Sequence, residues 1–586
     1  MSWAPPGGTI GRMIKNAIAL VALGVVGLVA PASASAEPCA QAICTGELQV
    51  PLDWADPSSE RIPVPYKWIS RTDRSSPSAG VIAGMAGGPS STLNADGLLT
   101  SALGPLMADH DMLIVERRGF GTSSPLLCPD IALDKPETVR ACAAKLGPRA
   151  QFFSTDQRVA DFDAVRQALG VPSLMLYGSS YGSVDAAAYA TRYPTHTSAV
   201  VVDSPLMPGD DGYITGYTYQ EFLGDGLRVY AEPCQASRAC RTAHPDPARE
   251  LADLTRLLRA HPDPLVPLAV VDRLIRLTSA PVTGRDGVAA VSAYLRGDQE
   301  PLHRLAPPLI AGRDGRDDVF RAAVAVLTYQ CNDAALPYSR SAAPEVRVRQ
   351  LADYRQRHPE RPVTAAEVGG GSEDFCLYWP TPRESPPVPP RAKFPDVPAL
   401  VTGGSQEVLF GESVVPLARK FPHGQSLLVP FGGHVTSLVG RPACVREAVQ
   451  SFFAGGEVRP GCTAESYRAR GVFPRTSAEL PRTSVPGVAV AYATVSDILG
   501  FPSGPGLRGG SFTTTQEGMA LTDVRYVSDV GVSGQVRLTM ANVEADVTLS
   551  TGQQLHLAWT PFQARDTVTV TGSTNGRPFE VCLPTA

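Results

Sequence analysis

Short apolar runs that alternate with helical patterns organise the first third of the chain. The runs "GVIAGMAG" and "HDMLIVERRG" end in glycine-rich turns, and "SLMLY" and "AVVVDSP" have the length of buried strands. Between them, "DQRVADFDAVRQALG" has helical spacing and ends at Gly170. Strands that alternate with helices predict a parallel sheet with helices on its faces. We therefore place the first part of an α/β core at residues 37–205.

The pattern becomes helical after this core and then returns to buried strands. "DPARELADLTRLLRAH", "VFRAAVAVLTYQC" and "PEVRVRQLADYRQRH" have helical spacing, with loops rich in Pro, Gly and Asp between them. The proline cluster "RESPPVPPRAKFPDVP" closes this section, and "ALVTGG" resumes the strand pattern. We expect a helical cap at residues 206–390, inserted before the second part of the core at residues 391–470.

Near-alternation of apolar and polar residues marks the end of the chain. It runs through "GQVRLTMANVEADVTLS", "QQLHLAW" and "DTVTVTGSTNGRPFEVCL", and Asn575-Gly576 is a hairpin turn signal. We predict a C-terminal all-β module at residues 471–586. Two roles stay open for it: contact with a polymer of the cell envelope, or cover for the core.

The N-terminus has the pattern of a secretory signal peptide. Arg12 and Lys15 precede the apolar run "AIALVALGVVGLVA", and the small residues "ASA" follow at 34–36. The run is short for a stable membrane span. We assign residues 1–36 to the signal and expect a secreted protein, extracellular or in the cell envelope, without a stable span after cleavage.

Length and charge narrow the class of protein. A chain of 586 residues is too long for one ordinary core and indicates about two to four structural units. The formal net charge is -5, and no block of lysine or arginine interrupts the sequence. This balance argues against a nucleic-acid partner.

Eleven cysteines fit the oxidising compartment to which a signal peptide leads. Most of them lie near another cysteine along the chain, so that pairs would close modest loops worth roughly 2–4 kcal/mol each. Sequence alone does not fix their connectivity, and Cys582 stands apart at the end. No CxxC or HExxH spacing supports a metal site, so we predict disulfides, no metal and no cofactor.

The stretch "LMLYGSSYGS" holds a candidate nucleophile. Gly178, Ser180 and Gly182 match the pattern Gly-x-Ser-x-Gly, in which the chain leaves a buried strand, turns sharply and enters a helix. The turn strains the serine backbone, and the flanking glycines remove side chains that would clash there. Of the two adjacent serines, only Ser180 fits.

A serine hydroxyl needs a base to take its proton and an acid to orient that base. His434 follows the apolar run "LLVPF" in a glycine turn and is the candidate base, with His423 as a weaker rival. Glu407 lies just beyond the strand "ALVTGG" and is the favoured acid. Glu412 is the alternative, because it falls nearer the start of the next helix.

Hydrolysis through an acyl-enzyme also needs an oxyanion hole of backbone N–H groups. Tyr181, which follows the nucleophile, supplies one N–H. The loop "MAGGPSST" is the candidate for the second, because Gly87 and Gly88 let the backbone approach closely. That loop lacks the lysine of a phosphate-binding P-loop.

As a set, these motifs resemble secreted actinobacterial tripeptidyl-aminopeptidase-like α/β-hydrolases, relatives of proline iminopeptidase. The resemblance rests on "AGGPSS", "DMLIVERRGFGTSSPLLC", "DFDAVRQALGVPSLMLYGSSYGS", "VVVDSP", "CNDAA", "CLYWP" and "GGHV", and it runs from about Cys39 to Cys462. It implies an α/β-hydrolase fold, Ser180 as nucleophile, Glu407 as acid, His434 as base, and Gly88 with Tyr181 as oxyanion donors. The resemblance also implies five disulfides: Cys39–Cys44, Cys128–Cys142, Cys234–Cys240, Cys331–Cys376 and Cys444–Cys462.

Two positions depart from the usual pattern of that family. Glu407 stands where an aspartate is usual, and Ser90 follows Pro89 where the oxyanion loop usually reads Gly-Gly-Pro-Gly. A longer acid requires a shifted loop, and a side chain at position 90 could narrow the site.

Three functions are compatible with these residues. The first is a secreted aminopeptidase that acylates Ser180 with the N-terminal part of a peptide, its cap holding the substrate ammonium near a carboxylate. Asp210, Asp211 and Glu221 are the carboxylates that follow the sheet into the cap. The second is a carboxylesterase or lipase with the same triad, and the third is a catalytically weakened binding protein of the cell envelope. A requirement for a free amine distinguishes the first from the second, and active-site labelling of Ser180 distinguishes both from the third.

Overall fold

The computed structural model describes most of the chain. It covers residues 39–132, 135–276, 281–310, 317–380, 383–407, 411–438, 443–459, 461–462, 468–539, 542–561 and 565–585. The signal peptide assigned to residues 1–36 lies outside these ranges. Residues 38–586 form one compact unit, which contains every element given below.

An eight-stranded sheet forms the centre of the core, in the order β1-β2-β4-β3-β5-β6-β7-β8. Strand β2 is antiparallel to both of its neighbours, β1 and β4, and the remaining pairings of this sheet are parallel. The strands are β1 (Ile43–Asp53), β2 (Asp56–Ile69), β3 (Gly80–Met85), β4 (His110–Val115), β5 (Leu174–Ser179), β6 (Thr197–Asp203), β7 (Pro398–Gly404) and β8 (His423–Val429). The long insertion between β6 and β7 leaves their parallel pairing intact.

Helices cover both faces of this sheet, because successive residues of a strand point to opposite faces. One face packs in a hydrophobic cluster with α1 and α15, and the other with α3 and α4. The core helices are α1 (Asp96–Leu103), α2 (Pro136–Leu146), α3 (Thr155–Ala168), α4 (Gly182–Arg192), α14 (Val414–Ala418) and α15 (Ala443–Phe453). The strand-helix alternation predicted from the sequence is therefore present.

The insertion after β6 is helical, as its sequence pattern predicts. Its helices are α5 (Tyr219–Ala236), α6 (Arg238–Ala243), α7 (Pro247–Ala260), α8 (Ala269–Arg276), α9 (Pro281–Leu295), α10 (Glu300–Ile310), α11 (Asp317–Asp333), α12 (Pro344–Arg357) and α13 (Ser372–Phe375). We call this segment the cap.

An eight-stranded antiparallel sheet follows the core, in the order β16-β15-β14-β13-β12-β11-β10-β9. Its strands are β9 (Ser503–Pro505), β10 (Ser511–Thr515), β11 (Gly518–Val524), β12 (Val532–Leu538), β13 (Val543–Leu549), β14 (Gln554–Trp559), β15 (Thr567–Thr574) and β16 (Arg577–Pro584). We call this sheet, with the chain that leads into it from residue 471, the module.

The module also contains a helix that the sequence analysis did not predict, α16 (Val488–Ile498). All eleven of its residues are buried, so its sequence "VAVAYATVSDI" has no polar face turned to solvent and shows no amphipathic period. The helix packs against the middle strands of the sheet.

The cap helices α5–α10 and the module share one hydrophobic core. Leu258 and Val291 of the cap belong to the same cluster of buried side chains as Val490 and Leu557 of the module. The later cap helices α11 and α12 pack instead in a cluster of the α/β core. The chain that leads into the module is tied to the cap as well, since Arg470 N donates to Arg285 O at 2.8 Å. The module is therefore an extension of the cap in its packing.

The five disulfides implied by the family resemblance are present: Cys39–Cys44, Cys128–Cys142, Cys234–Cys240, Cys331–Cys376 and Cys444–Cys462. Cys582 is an exposed free cysteine on β16. Within the described ranges, no helix has the length and apolar character needed to cross a membrane.

Candidate active site

Ser180 lies in a sharp turn between β5 and α4. Its backbone has φ of +52°, in the left-handed region, and its N–H donates to the carbonyl of Asp203 at 2.8 Å. This hydrogen bond ties the turn to the end of the neighbouring strand β6. A serine held this way presents its hydroxyl at the carboxyl edge of the sheet.

The two glycines of the motif are required by close packing. A Cβ at Gly178 would lie 2.4 Å from the carbonyl oxygen of Gly182, and a Cβ at Gly182 would lie 1.8 Å from that of Met85. No side chain fits at either distance. The turn therefore depends on both glycines, which the sequence motif predicts.

Ser180, His434 and Glu407 form one chain of hydrogen bonds. Nε2 of His434 lies 2.8 Å from Oγ of Ser180, and Nδ1 of His434 contacts Oε2 of Glu407. Glu407 is 2% exposed in the loop after β7, and His434 lies in the loop after β8. The structure thus brings together the three side chains that the sequence selected from three separate segments.

The two rival residues lie elsewhere. The side chain of Glu412 is 71% exposed and pairs with Arg228 at 3.7 Å. His423 opens β8 and pairs with Asp396 at 2.9 Å. Neither Ser180 nor His434 takes part in these two ion pairs.

His434 has a raised pKa. Burial disfavours its charged form, but the hydrogen bond that His434 donates to Glu407, the negative charge of Glu407 and that of Asp203 outweigh this effect and raise the pKa above the usual value of a histidine. The imidazolium that forms when His434 takes a proton is therefore stabilised in place.

A buried carboxylate that the sequence analysis did not select holds the loop of His434. Asp203 ends β6, is fully buried, and accepts hydrogen bonds from Ser437 N at 2.7 Å and from Ser437 Oγ at 2.5 Å. Next to it, Ser204 Oγ accepts the N–H of Val435 at 2.8 Å. Both residues belong to the motif "VVVDSP", which is recognisable in the sequence. Its contact with the loop of His434 is seen only in the structure.

The oxyanion loop lies against the nucleophile. A Cβ at Gly87 would lie 2.5 Å from Cβ of Ser180, so the loop approaches as closely as a glycine allows. Gly88 lines the same cleft as Ser180 and Tyr181 and has φ of +129°. Ser90 donates its hydroxyl to the carbonyl of Gly87 at 2.8 Å, so its side chain is engaged by its own loop.

Tyr181 is fixed by its side chain. Its hydroxyl donates to Oδ2 of Asp333 at 2.5 Å, and Asp333 also accepts from the N–H of Thr155 at 3.1 Å. Burial raises the pKa of Asp333 to about 7. Asp333 lies in "CNDAA" at the end of α11, a motif to which the sequence analysis gave no chemical role.

A cleft of about 310 Å³ opens in front of Ser180 between core and cap. The cap contributes aromatic and glycine-rich walls, including Tyr217, Tyr219 and Phe375. Among the described residues that line it, Arg276 is the one with a charged side chain. A cleft of this size is suited to a ligand of a few residues.

The three acids considered for the substrate ammonium make local contacts instead. Asp211 accepts from the N–H of Tyr213 at 3.0 Å, and Glu221 caps its own helix by accepting from Thr218 N at 3.1 Å. Asp210 is the third of these acids. None of the three carboxylates is among the described residues that line the cleft.

Another carboxylate, which the sequence analysis did not select, lies directly behind the cleft wall. A Cβ at Gly371 would be 2.5 Å from Oε2 of Glu373, and Gly371 itself lines the cleft. Glu373 is 1% exposed, is 3.3 Å from Arg355, and has its pKa raised to about 7 by burial. Its sequence position, next to the "CLYWP" motif, carried no signal of this placement.

In the part of the chain that the structure describes, no group of three or more His, Cys, Asp or Glu side chains could hold a metal ion.

Two family comparisons agree with this architecture. The family described as an alpha/beta hydrolase fold matches residues 84–269, and the family of TAP-like proteins matches residues 362–463. The first match includes the turn at Ser180, and the second includes Glu407 and His434.

Among characterised proteins, the tripeptidyl aminopeptidase of Streptomyces coelicolor is 24% identical over 448 residues, 70% of this chain and 81% of that protein. The serine protease Hip1 of Mycobacterium tuberculosis is 30% identical over 112 residues, 19% of this chain and 21% of that protein. The crystal structure of proline iminopeptidase from Mycobacterium smegmatis is 14% identical over 70% of this chain and 98% of that chain, with a TM-score of 0.29. The chain is therefore an enzyme of the α/β-hydrolase class with a TAP-like domain, homologous to the tripeptidyl aminopeptidases of Streptomyces.

Proposed function

We propose that the protein is a secreted serine aminopeptidase that releases short N-terminal fragments from peptides. The observation that carries this proposal is the hydrogen-bonded chain from Ser180 through His434 to Glu407, at the edge of a cleft walled by the cap. The similarity to tripeptidyl aminopeptidases supports the choice of peptides over other acyl substrates.

The proposed reaction begins at Oγ of Ser180, which attacks the scissile carbonyl while Nε2 of His434 takes its proton. Glu407 holds His434 through Nδ1 and stabilises the imidazolium. The N–H groups of Gly88 and Tyr181 would receive the negative oxygen of the tetrahedral intermediate. His434 then gives its proton to the leaving amine, and water attacks the acyl-enzyme with His434 again as base.

An aminopeptidase must recognise the substrate ammonium, and Glu373 is the carboxylate we assign to it. Its position behind Gly371 puts a negative charge next to the cleft without a side chain protruding into it. Because the carboxylate is buried, its field is screened less than that of an exposed acid. The charge is present when Glu373 is ionised, above a pKa of about 7.

We also propose that the protein works outside the cytoplasm. Five disulfides support this, because such bonds persist in oxidising compartments and are rare in the cytosol. The signal pattern at residues 1–36 points the same way. N-terminal sequencing of protein recovered from the culture medium tests the cleavage after Ala36.

The proposed activity is tested with one peptide in two forms, with a free and with an acetylated N-terminus. Mass spectrometry follows the products, and Ser180→Ala is the control. We expect stepwise loss of N-terminal fragments from the free form only. Cleavage of simple esters, with both peptide forms intact, would overturn the peptidase assignment in favour of an esterase.

A further inference from the structure

Arg117 is a fully buried cation that contacts both halves of the proposed oxyanion hole. It follows β4, has 0% exposure, and donates through Nη1 to the carbonyl of Ser90 at 3.1 Å and through Nη2 to that of Ala86 at 3.4 Å. These two carbonyls flank Gly88 on either side in the oxyanion loop. The guanidinium therefore holds the loop at both ends.

The same guanidinium is joined to the helix that follows the nucleophile. Nη2 pairs with Oδ2 of Asp185 on α4 at 2.5 Å, and the guanidinium carbon lies 5.5 Å from the ring centroid of Tyr181. It lies at the same distance from the ring of Tyr329 on α11. One side chain thus links the loop of Gly88 to the residue that supplies the second N–H.

The neighbouring Glu116 holds the far end of the loop. Its Oε1 accepts from the N–H of Thr92 at 2.8 Å, and its Oε2 accepts from the hydroxyl of Ser91 at 2.6 Å. The loop is therefore fastened from Ala86 to Thr92 by two consecutive side chains of opposite charge.

We infer that Arg117 is a positioning residue that sets the distance between the N–H groups of Gly88 and Tyr181. This inference rests on the proposed function, in which Ser180 is the nucleophile. Gly87 and Gly88 have no side chains through which neighbouring residues could hold them, so their placement depends on contacts made to the loop backbone. Oxyanion donors act only when held in place before the charge develops, and a misplacement of about 1 Å costs about 100-fold in rate. Arg117 supplies that constraint from behind.

Arg118 provides a matched control one residue along the chain. It is also 0% exposed and pairs with a buried acid, Asp161, at 2.5 Å. Its other donors reach the carbonyls of Leu52 and Phe152, at 2.7 and 2.9 Å, rather than the oxyanion loop. Loss of either arginine removes one buried ion pair, but only Arg117 contacts the site.

The test compares Arg117→Lys and Arg117→Met with Arg118→Lys and Arg118→Met. Two quantities are measured: the second-order rate of Ser180 labelling by a fluorophosphonate, and kcat and KM for a cleaved peptide. We expect Arg117→Met to lower both the labelling rate and kcat about 100-fold with KM changed less than about threefold. Arg117→Lys should retain only part of the labelling rate and of kcat. A lysine keeps the positive charge, but its single ammonium cannot reach both carbonyls and Asp185 at once.

The labelling rate separates this inference from the proposed function, because it requires a reactive Ser180 but no peptide substrate. The inference is overturned if Arg117 and Arg118 variants of equal thermal stability lose labelling rate equally, or if Arg117→Met raises KM and leaves kcat unchanged. Should Arg117→Met fail to fold, Arg117→Lys against Arg118→Lys decides by the same criterion. Labelling without any peptide cleavage would instead contradict the aminopeptidase assignment alone.

Discussion

His434 must be neutral to accept a proton from Ser180, so its pKa sets the acid limb of the pH–rate profile. That pKa is raised, with Glu407 as the main favourable contribution. We expect kcat/KM to rise with pH through a value above the usual histidine pKa and then to level. Glu407→Gln removes the charge and should move this limb to lower pH while lowering the plateau, and pH profiles of both proteins measure the shift.

Glu412→Gln is the control for that experiment, because Glu412 is exposed and pairs with Arg228 instead of His434. The Glu412→Gln variant should keep the acid limb and the plateau of the kcat/KM profile at their wild-type positions. A limb that stays in place in Glu407→Gln but moves in Glu412→Gln would reverse the assignment of the acid.

Glu373 gives a second residue-level prediction, on recognition of the substrate. Glu373→Gln keeps the shape of the side chain and removes its charge, so KM for free-amine peptides should rise at least about tenfold. Labelling of Ser180 by a fluorophosphonate should stay within about twofold. Steady-state kinetics at about pH 7.5, where Glu373 is mostly ionised and the peptide α-ammonium is still mostly protonated, measures the change.

Wild-type protein offers the internal comparison for Glu373. Its KM for a free-amine peptide should fall as pH rises towards about 7, below the range in which the peptide α-ammonium, with a pKa of about 8, loses its proton. Glu373→Gln should lack this fall in KM. An unchanged KM in the variant would show that another group binds the ammonium.

At the residue scale, the sequence predicted that side chains from three distant segments lie together. This was possible because the order Ser, acid, His along the chain is the order in which an α/β-hydrolase sheet supplies its triad. The supporting residues were not predictable. Arg117 and Glu373 are charged, and in a sequence a buried charge looks the same as an exposed one. Only the fold shows that Asp185 and Gly371 lie beside them.

At the scale of the element, the turn between β5 and α4 requires a glycine at position 182. A methyl group there would lie 1.8 Å from the backbone oxygen of Met85, so β3 and α4 would have to separate. We expect Gly182→Ala to lose about 3 kcal/mol or more of unfolding free energy and to abolish labelling of Ser180. Chemical denaturation and fluorophosphonate labelling measure the two effects.

Gly97→Ala is the matched control for this substitution. Gly97 lies in α1, and a Cβ there meets nothing within 4 Å. The change should leave activity intact and raise stability by about 0.5–1 kcal/mol. Equal behaviour of the two alanine variants would contradict the packing argument.

Helix α16 shows why an element can escape prediction. Amphipathic periodicity arises when one face meets water, and α16 has no such face because all its residues are buried. The strands around it alternate clearly, since their other face is exposed. The sequence therefore predicts the sheet and leaves the helix inside its core unseen.

At the scale of the whole molecule, a buried ionic network joins cap and module. Asp497 of α16 accepts from Arg304 of α10 at 2.5 and 2.8 Å, and its carboxylate lies 3.5 Å from Arg470. Asp286 of α9 pairs with the same Arg470 at 3.0 Å. Contacts between residues so distant along the chain cannot be read from sequence patterns.

Because the cap helices α5–α10 and the module share one core, we expect these parts to lose structure together. Asp497→Asn leaves buried arginines without their full partner, at a cost of about 3–5 kcal/mol. Hydrogen exchange should then quicken in α9 and α10 and in the module sheet, while β5 and β6 keep their protection.

Asp546→Asn is the control for the network, since Asp546 on β13 is exposed and pairs with Arg537 and His556 at the surface of the sheet. This substitution should change stability by less than about 1 kcal/mol. Faster exchange in the module alone, with the cap unchanged, would show that the module is an independent domain.

The measurement that tests the central claim most directly is the identity of the acyl-enzyme. The mature protein is mixed with a free-amine peptide, quenched in acid within the first turnover, digested and analysed by mass spectrometry. We predict a mass increment on Ser180 equal to that of a short N-terminal fragment, absent in Ser180→Ala and for the acetylated peptide. An adduct on another residue, or one derived from the C-terminal part of the peptide, would contradict a serine aminopeptidase that acts through Ser180.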